Sequence, residues 1–333
     1  MRDDIMVSVV MTTYNHRNFI KQAVESVLMQ KTNFRYELII GDDCSPDNSK
    51  EVLIQFKNAN PDIINLIIRE KNIGGTKNLY DLFMRARGKY VILLEGDDYW
   101  TDEFKLKKQV YFLEQHPEFI GVAHKNAIVD EYGNSLIVEN YYERNYREIY
   151  TIQDLHSRGL AFQSATLLYK NIYIGSDNKY EKLFNAHQII ADIQICYLLL
   201  DIGDVYIMDE MMSAWRCYIS NTGTNWASIS KNRPIQNQID NLLIYKALDR
   251  YFSGKYKFKT HMYMRIAECY LAMLRTRKTE ASGQLIHLIS KLSPFETVAS
   301  FPYALYYIGK LVVRKLSKKS ESQNFINSKR RES

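Results

Sequence analysis

The stretch Tyr90-Val91-Ile92-Leu93-Leu94-Glu95-Gly96-Asp97-Asp98-Tyr99-Trp100 is an apolar run that stops abruptly at three carboxylates. An uninterrupted apolar segment of this length fits a strand buried on both faces, as strands of parallel sheets are. Carboxylates are excluded from such a core unless they are paired, so the acids mark the point where the strand leaves the sheet.

The residues before it repeat this pattern. Ile5 to Met11 reads as a first buried strand, followed by Phe19, Ile20, Ala23, Val24, Val27 and Leu28 at helical spacing, with Asn15 placed to cap that helix. Leu38 to Ile40 is a second strand, ending in Gly41-Asp42-Asp43. A Ser45-Pro46-Asp47-Asn48 turn leads to a helix through Val52, Leu53 and Phe56. Ile63 to Ile68 is a third strand, and Asn72-Ile73-Gly74-Gly75-Thr76 opens a helix bearing Leu79, Leu82, Phe83 and Ala86. Strands alternating with amphipathic helices need crossover connections, which predicts an α/β fold: a Rossmann-like, mainly parallel sheet with helices on both faces. Ligands of such sheets bind outside the carboxyl ends of the strands. Two of these strands end in paired acids, Asp42-Asp43 and Asp97-Asp98.

Beyond a helix on Leu106, Val110 and Leu113 the pattern changes. Phe119 to Asp130 reads as a strand, Tyr132-Gly133-Asn134 as a turn and Leu136 to Val138 as the return strand. Ser164 to Tyr169 is another strand, and Ile189 to Leu200 an apolar helix with Asp192 near its start. Val205 to Met208 and Met211 to Arg216 read as paired strands, and from about Arg233 the chain reads helical.

With 46% hydrophobic and 25% charged residues, the composition of the 333-residue chain excludes a disordered or collagen-like protein. The net charge of +6 is unevenly placed. Arg250 to Ser333 holds 17 Lys and Arg against 5 Asp and Glu, leaving 27 against 33 in residues 1–249. An acidic head on a basic tail implies two kinds of work. Cys44, Cys196, Cys217 and Cys269 are widely spaced, which argues against a zinc site and against a disulfide framework. Neither a signal-peptide core nor a spanning run of roughly 18 apolar residues is present, so the expected compartment is the cytoplasm.

Glu95, Asp97 and Asp98 repel one another unless a cation is near, and oxygen-only ligands favour a hard divalent ion, Mg²⁺ or Mn²⁺. The alternative is a solvated acidic turn before the helix that Thr101-Asp102-Glu103 begins. Asp42 and Asp43 read either as an Asx turn or as carboxylates that bond a nucleotide's base or ribose. Thr12-Thr13-Tyr14-Asn15 offers hydroxyls and an aromatic face for a base, or else caps a helix. Asn72 with Gly74, Gly75 and Lys77 suits a phosphate at a helix start, or is a simple turn. Neither a P-loop nor a dinucleotide glycine fingerprint is present, which argues against an oxidoreductase.

In this order and spacing, Val7 to Asn15, Ile40 to Ser45, Asn72-Ile73-Gly74 and Leu94 to Trp100 resemble family 2 glycosyltransferases. The resemblance is continuous over residues 5–115 and looser to about 220. It implies a GT-A fold and an inverting, metal-dependent transfer of a sugar from a nucleotide diphosphate donor, a UDP-sugar in particular. It also implies nucleoside contacts from Thr13, Tyr14 and Asp43. Glu95-x-Asp97 resembles the family's D-x-D motif, with Asp97 the metal ligand, Glu95 in the usual position of an Asp, and Asp98 beside them. Inversion needs a base on the face opposite the leaving group, and Asp192 matches the family's position for it. Asp209-Glu210 is the runner-up, ahead of Asp177 and Glu181. Arg216 either meets a phosphate or makes a structural ion pair, and Tyr218 stands where many relatives carry His. His124 and His187 read as satisfied or exposed side chains. Glu95 and Tyr218 keep open the alternative of a nucleotide-sugar-binding protein that has lost catalysis.

Phe301, Leu305, Ile308, Val312 and Leu316 form one helical apolar face, crowded by Lys310, Arg314, Lys315, Lys318 and Lys319. Such a face fits an anionic membrane surface meeting residues 298–333, or a terminal helix docked on the protein's own core. Nothing resembles a nucleic-acid recognition module. The expected organisation is a catalytic domain over 1–225, with a nucleotide-sugar half (1–115) and an acceptor half (116–225), then a helical region over 226–333. The expected role is a peripheral enzyme on the inner face of a bacterial cell membrane, with a second copy of the chain among the candidate partners. It would extend a lipid-linked or growing surface glycan.

Overall fold

Parallel pairing follows from the connections between the first elements. β1 (Val7–Thr13) leads through α1 (Ile20–Leu28) to β2 (Tyr36–Asp42), and α2 (Ser49–Ala59) carries the chain to β3 (Ile64–Ile68). From there α3 (Gly75–Arg85) crosses to β4 (Tyr90–Glu95), and the short β5 (Tyr99–Trp100) precedes α4 (Lys105–Gln115). The remaining elements are β6 (Gly121–Val129), β7 (Ile149–Tyr150), α5 (Ile152–Arg158), β8 (Leu168–Lys170), α6 (Glu181–Phe184), α7 (Asp192–Leu200) and β9 (Val205–Arg216). Two further helices, α8 (Pro234–Tyr251) and α9 (Lys259–Thr276), belong to a separate unit. The computed structural model describes residues 4–136, 146–187, 191–217 and 234–276, with 298–303, 305, 306 and 309 near the C-terminus.

The described strands form one sheet in the order β3-β2-β1-β4-β8-β6-β9-β5, with β7 also pairing β9. β3, β2, β1 and β4 are mutually parallel, β8 runs antiparallel to β4 and β6, and β9 lies parallel to β6. Helices cover both faces, as the strand–helix alternation predicts. Successive side chains of a strand point to opposite faces, and the burial follows that period. Val7, Val9 and Met11, Leu38 and Ile40, and Tyr90, Ile92 and Leu94 join one cluster with residues of α1, α2 and α4. Each fully buried aliphatic side chain there contributes about 1.5–3 kcal/mol. The other face meets α3, and Gly41 permits the approach: a Cβ there would lie 2.6 Å from Asn78 Oδ1 and 2.9 Å from Leu82 Cδ1. Asn78 Nδ2 donates to the Gly41 carbonyl at 2.8 Å.

A buried carboxylate ties the strands at their amino ends. Glu37 accepts the Ser8 hydroxyl at 2.7 Å, the Arg87 backbone N–H at 3.0 Å and Arg87 Nη2 at 2.6 Å. The side chain of Glu37 is 3% exposed against 69% for Arg87, so truncating the acid strands the buried partners.

Several local expectations are corrected. Asn15 caps nothing: it has φ +62°, its N–H donates to Ser45 Oγ at 3.0 Å, and α1 starts at Ile20 behind Phe19, without a side-chain cap. The segment from Ser164 opens as a 3-10 turn, Ser164–Thr166, because Gln163 caps the Ala165 N–H; the strand is only Leu168–Lys170. Val205 to Arg216 is one strand rather than two paired ones. Its polar Asp209-Glu210 sits where the register against β6 slips, so an irregularity in one strand imitates a turn. At the predicted return strand, Leu136 N–H donates to the Ile128 carbonyl, and Val138 lies outside the described residues.

By internal contacts the chain divides into Met1–Ser228 and Ile229–Ser333. In the second unit Ile239, Leu242, Leu248, Phe258, Met262, Ile266 and Cys269 are buried. A turn with Ser253 and Gly254 at positive φ separates α8 from α9. Of the predicted amphipathic tail, Val298, Phe301, Leu305 and Tyr306 are exposed, and residues 310–333 lie outside the described ones. No helix among the described residues is long and apolar enough to cross a membrane.

Glu37→Ala should lower stability by about 2–3 kcal/mol, the scale of lost buried hydrogen bonds to a charged group. A fall in the urea midpoint at unchanged slope checks it, and an unmoved midpoint would show that Glu37 carries no such load.

Candidate active site

The order β3-β2-β1-β4 places the turning point of the sheet between β1 and β4, because the chain winds one way to β3 and then returns to the far side of β1. At such a switch point the connections diverge and leave a crevice at the carboxyl edge. Register puts Thr12 opposite Glu95 and Thr13 opposite Asp42, so three adjacent strands end together.

The turn after β4 is anchored at both ends. Gly96 N–H donates to the Thr12 carbonyl at 2.9 Å, and Asp98 N–H to the Glu95 carbonyl at 3.1 Å. A Cβ at Gly96 would stand 3.0 Å from each of His16 Nδ1, Ile20 Cδ1 and Thr13 Cβ, so only glycine passes comfortably here. Tyr99 and Trp100 then pair with Ala214 and Ser213 of β9, and the buried Trp100 indole donates to the Ala165 carbonyl at 3.2 Å.

Glu95, Asp97 and Asp98 each present a carboxylate oxygen within 4.8 Å of the others. They are not equivalent. Asp98, 1% exposed, accepts Gln163 Nε2 and the Arg216 N–H, each at 2.8 Å, so its oxygens are engaged by the scaffold. Burial, then Asp97, still holds its carboxyl well above the usual carboxylate range. The Arg216 guanidinium donates to the Asp97 carbonyl and, at 2.6 Å, to Gln22 Oε1. It lies 4.6 Å from the Phe19 ring centroid and 5.0 Å from that of Tyr99. Of the two roles open to Arg216, the structure shows the scaffold one, made to a backbone carbonyl rather than as an ion pair.

Glu95 and Asp97 remain as oxygen donors. Burial, followed by the negative charges of Asp192, Asp97 and Asp98, pushes Glu95 well above its ordinary value. Such crowding is relieved by a hard divalent cation, and the donor set fits one. His16 completes the rim, with Nε2 3.9 Å from Asp97 Oδ2.

Asp192 opens α7, and its charge is among those that act on Glu95. Burial pushes the Asp192 carboxyl up to about 6. A cavity of about 20 Å³ beside it is lined by Leu93, Phe162, Leu167, Tyr169 and Ile195, the apolar surroundings that raise the value. The rival acids are engaged elsewhere. Asp209 pairs with Lys125 and Glu210 with Lys108, six or more residues along β9 from Arg216, or roughly 20 Å of strand.

At the other side of the crevice Thr13 is buried, and its hydroxyl has no hydrogen-bond partner, while Tyr14 is 39% exposed. Asp42 accepts the Ser45 hydroxyl at 2.5 Å and the Ser45 N–H at 3.1 Å, which is the Asx-turn reading. Asp43 accepts the N–H groups of Ile73 and Gly74 at 2.8 and 2.9 Å, so it holds the β3–α3 loop against the end of β2. Asn72, exposed, accepts the Gly74 N–H at 3.1 Å. Lys77 is exposed on the first turn of α3. Thr13, Asp42, Asp43, Glu95, Asp97, Asp98 and Asp192 therefore share one edge of the sheet, with Asn72 tied in through Asp43.

Sequence reasoning passes over Gln22, Gln163 and His16, because nothing local sets them apart. His124 is buried with Nδ1 2.7 Å from the Lys125 carbonyl, and burial holds it well below its usual range. His187 accepts the Thr76 hydroxyl at its carbonyl, and Tyr218 lies outside the described residues.

Arg216→Lys keeps the charge but cannot reach Asp97 and Gln22 together. It should weaken Mn²⁺ binding about 10–100-fold, as loss of an outer support does. Calorimetric titration checks this, and unchanged affinity would remove Arg216 from the support of the carboxylates.

Comparison with known proteins agrees with this geometry. Residues 8–173 match the model described as glycosyl transferase family 2. An uncharacterised Mycobacterium tuberculosis protein is 39% identical over 127 residues, 38% of this chain and 37% of the relative. An Escherichia coli UDP-Glc:α-D-GlcNAc-diphosphoundecaprenol β-1,3-glucosyltransferase is 32% identical over 140 residues, 41% of this chain and 49% of that protein. The chain thus spans less than half the length of either relative. The structure of Staphylococcus aureus TarS 1–349 in complex with UDP-GlcNAc superposes with a TM-score of 0.57 at 19% identity. That superposition covers 85% of this chain and 79% of TarS 1–349, a likeness of fold. On the matched family model and the motifs it spans, from the end of β1 to the carboxylates after β4, the chain belongs to glycosyl transferase family 2.

Proposed function

We propose that the protein is a metal-dependent, inverting glycosyltransferase. In this reading it moves a sugar from a nucleotide diphosphate donor, a UDP-sugar, to a hydroxyl of a lipid-linked or growing surface glycan. The observation that carries the reading is the cluster of Glu95, Asp97 and Asp98, with oxygens within 4.8 Å of one another, and with Asp192 near enough for its charge to act on Glu95. The names of the E. coli relative and of the TarS complex, which specify UDP-Glc, a diphosphoundecaprenol-linked sugar and UDP-GlcNAc, support the donor and acceptor classes.

Glu95 and Asp97 hold the divalent cation, Mn²⁺ or Mg²⁺, while Asp98 keeps the turn in place. Bound there, the ion supplies the positive charge that a departing diphosphate requires. Thr13 and Tyr14 take the nucleoside with Asp43, and Asp42 holds the turn that follows β2. Asn72 and Lys77, at the loop and the start of α3, face the phosphates. Asp192 accepts the proton of the acceptor hydroxyl as its oxygen attacks C1 from the side opposite the leaving group. A carboxyl with a value of about 6 is ionised at neutral pH yet holds a proton better than an exposed one. The apolar wall beside it excludes competing water.

The basic C-terminal region, with Phe301 and Leu305 exposed, supports residues 298–333 as a contact with an anionic membrane surface. In this reading the enzyme sits peripherally on the inner face of the membrane, where a lipid-linked acceptor is presented.

Asp192→Asn should lower transfer about 10²–10⁴-fold while leaving donor affinity unchanged by calorimetry. For the unaltered enzyme, kcat/KM should fall as pH drops through about 6 or below, since protonation removes the base and a nearby cation lowers its value. Full activity of the variant would reject Asp192 as base. Removal of residues 298–333 should release the protein from phosphatidylserine-containing liposomes in a sedimentation assay. Binding undiminished by the deletion would reject the membrane contact.

A further inference from the structure

The loop between β1 and α1 carries a side chain that the proposed chemistry leaves unused. His16 stands against the turn after β4, its Nδ1 3.0 Å from where a Gly96 Cβ would be, and its Nε2 faces Asp97. The His16 side chain is 14% exposed and that of Asp97 12%. Nδ1 is buried without a hydrogen-bond partner, and so is the Thr13 hydroxyl beside the same glycine. Nδ1 lies on the Gly96 side of the ring, so Nε2 is the nitrogen turned toward the carboxylates.

The separation between His16 and Asp97 narrows the choice. A structural imidazole–carboxylate pair closes to hydrogen-bond length, about 2.7–3.2 Å, whereas His16 Nε2 and Asp97 Oδ2 are 3.9 Å apart. In an octahedral shell with bonds of about 2.1 Å, neighbouring ligand atoms stand about 3.0 Å apart and opposite ones about 4.2 Å. The observed gap falls between these limits. It is too wide for direct bonding and narrow enough for one ion to join both atoms.

We propose that His16 is a nitrogen ligand of the cation held by Glu95 and Asp97. The inference rests on the metal-dependent reading above and adds to it a donor from a different element. An imidazole in place of a further oxygen shifts preference from Mg²⁺ toward transition ions, because nitrogen is the softer donor. It also couples the loop that leads away from Thr13 and Tyr14 to the ion, so nucleoside and diphosphate ends of the donor are registered by one short segment.

The test uses the full chain loaded with Mn²⁺ alone. Electron spin-echo modulation of the bound ion should show directly coordinated ¹⁴N, replaced by ¹⁵N when the protein is grown on ¹⁵N-histidine. His16→Gln should remove that modulation and weaken Mn²⁺ more than Mg²⁺ in calorimetric titration. The isotope experiment needs no variant and holds even if the substitution impairs folding. Mn²⁺ bound without nitrogen modulation, or with modulation that survives His16→Gln, overturns the assignment and leaves the carboxylate site standing. Failure of Mn²⁺ to bind at all overturns both.

Discussion

Asp98 is a buried carboxylate whose oxygens accept the Gln163 side-chain amide and the Arg216 backbone N–H. These bonds join β4 and its turn to β9 and to the segment before β8, beside the pairing of β5 with β9 and the Trp100 bond to the Ala165 carbonyl. A charge taken out of water is tolerated only when its lone pairs are met, so the geometry of the turn is set by where those donors stand. Arg216 then reaches past Asp98 to the Asp97 carbonyl, and the orientation of Asp97 follows from that contact.

The consequence is a division of labour among acids that look alike on paper. Asp42, Asp43 and Asp98 have oxygens bonded within the protein, to Ser45, to the Ile73 and Gly74 amides, and to Gln163 and Arg216. Glu95, Asp97 and Asp192 crowd the space between these fixed points; burial raises Asp192, and burial followed by the charges of Asp192, Asp97 and Asp98 raises Glu95. Structural acids define the walls, and strained ones face the crevice. The strain is useful, because a group that is destabilised alone gains most from a cation or a proton delivered by a substrate.

Much of the architecture is legible in order of residues. Strands buried on both faces read as continuous apolar runs, and the helices between them keep a clear period, so β1 to β4 and α1 to α3 are recovered with small shifts at their ends. Reading weakens where a local signal has two causes. Asp209-Glu210 has the composition of a turn but occupies a register slip, satisfied by Lys125 and Lys108 from neighbouring elements. Asn15 has the character of a cap but adopts a left-handed conformation to meet Ser45. Ser164 to Thr166 runs directly into the apolar Leu167 to Tyr169, and the Gln163 side chain sets the first three residues apart as a 3-10 turn.

From the sequence alone came the alternation of strand and helix, the parallel sheet it requires, and the placing of acids at the carboxyl edge. All three depend on periodicity and on the exclusion of charge from a core, which are properties of neighbouring residues. Tertiary structure decided which acids are held by hydrogen-bond donors of the protein and which crowd the crevice. For Asp43 and Asp98 that choice rests on partners 30 to 118 residues away, such as Ile73 for Asp43 and the Arg216 N–H for Asp98, and no local pattern encodes those meetings. It also brought His16 to Asp97 and the head of α7 to Glu95, because both the loop and the helix end at the one crevice the strand order opens.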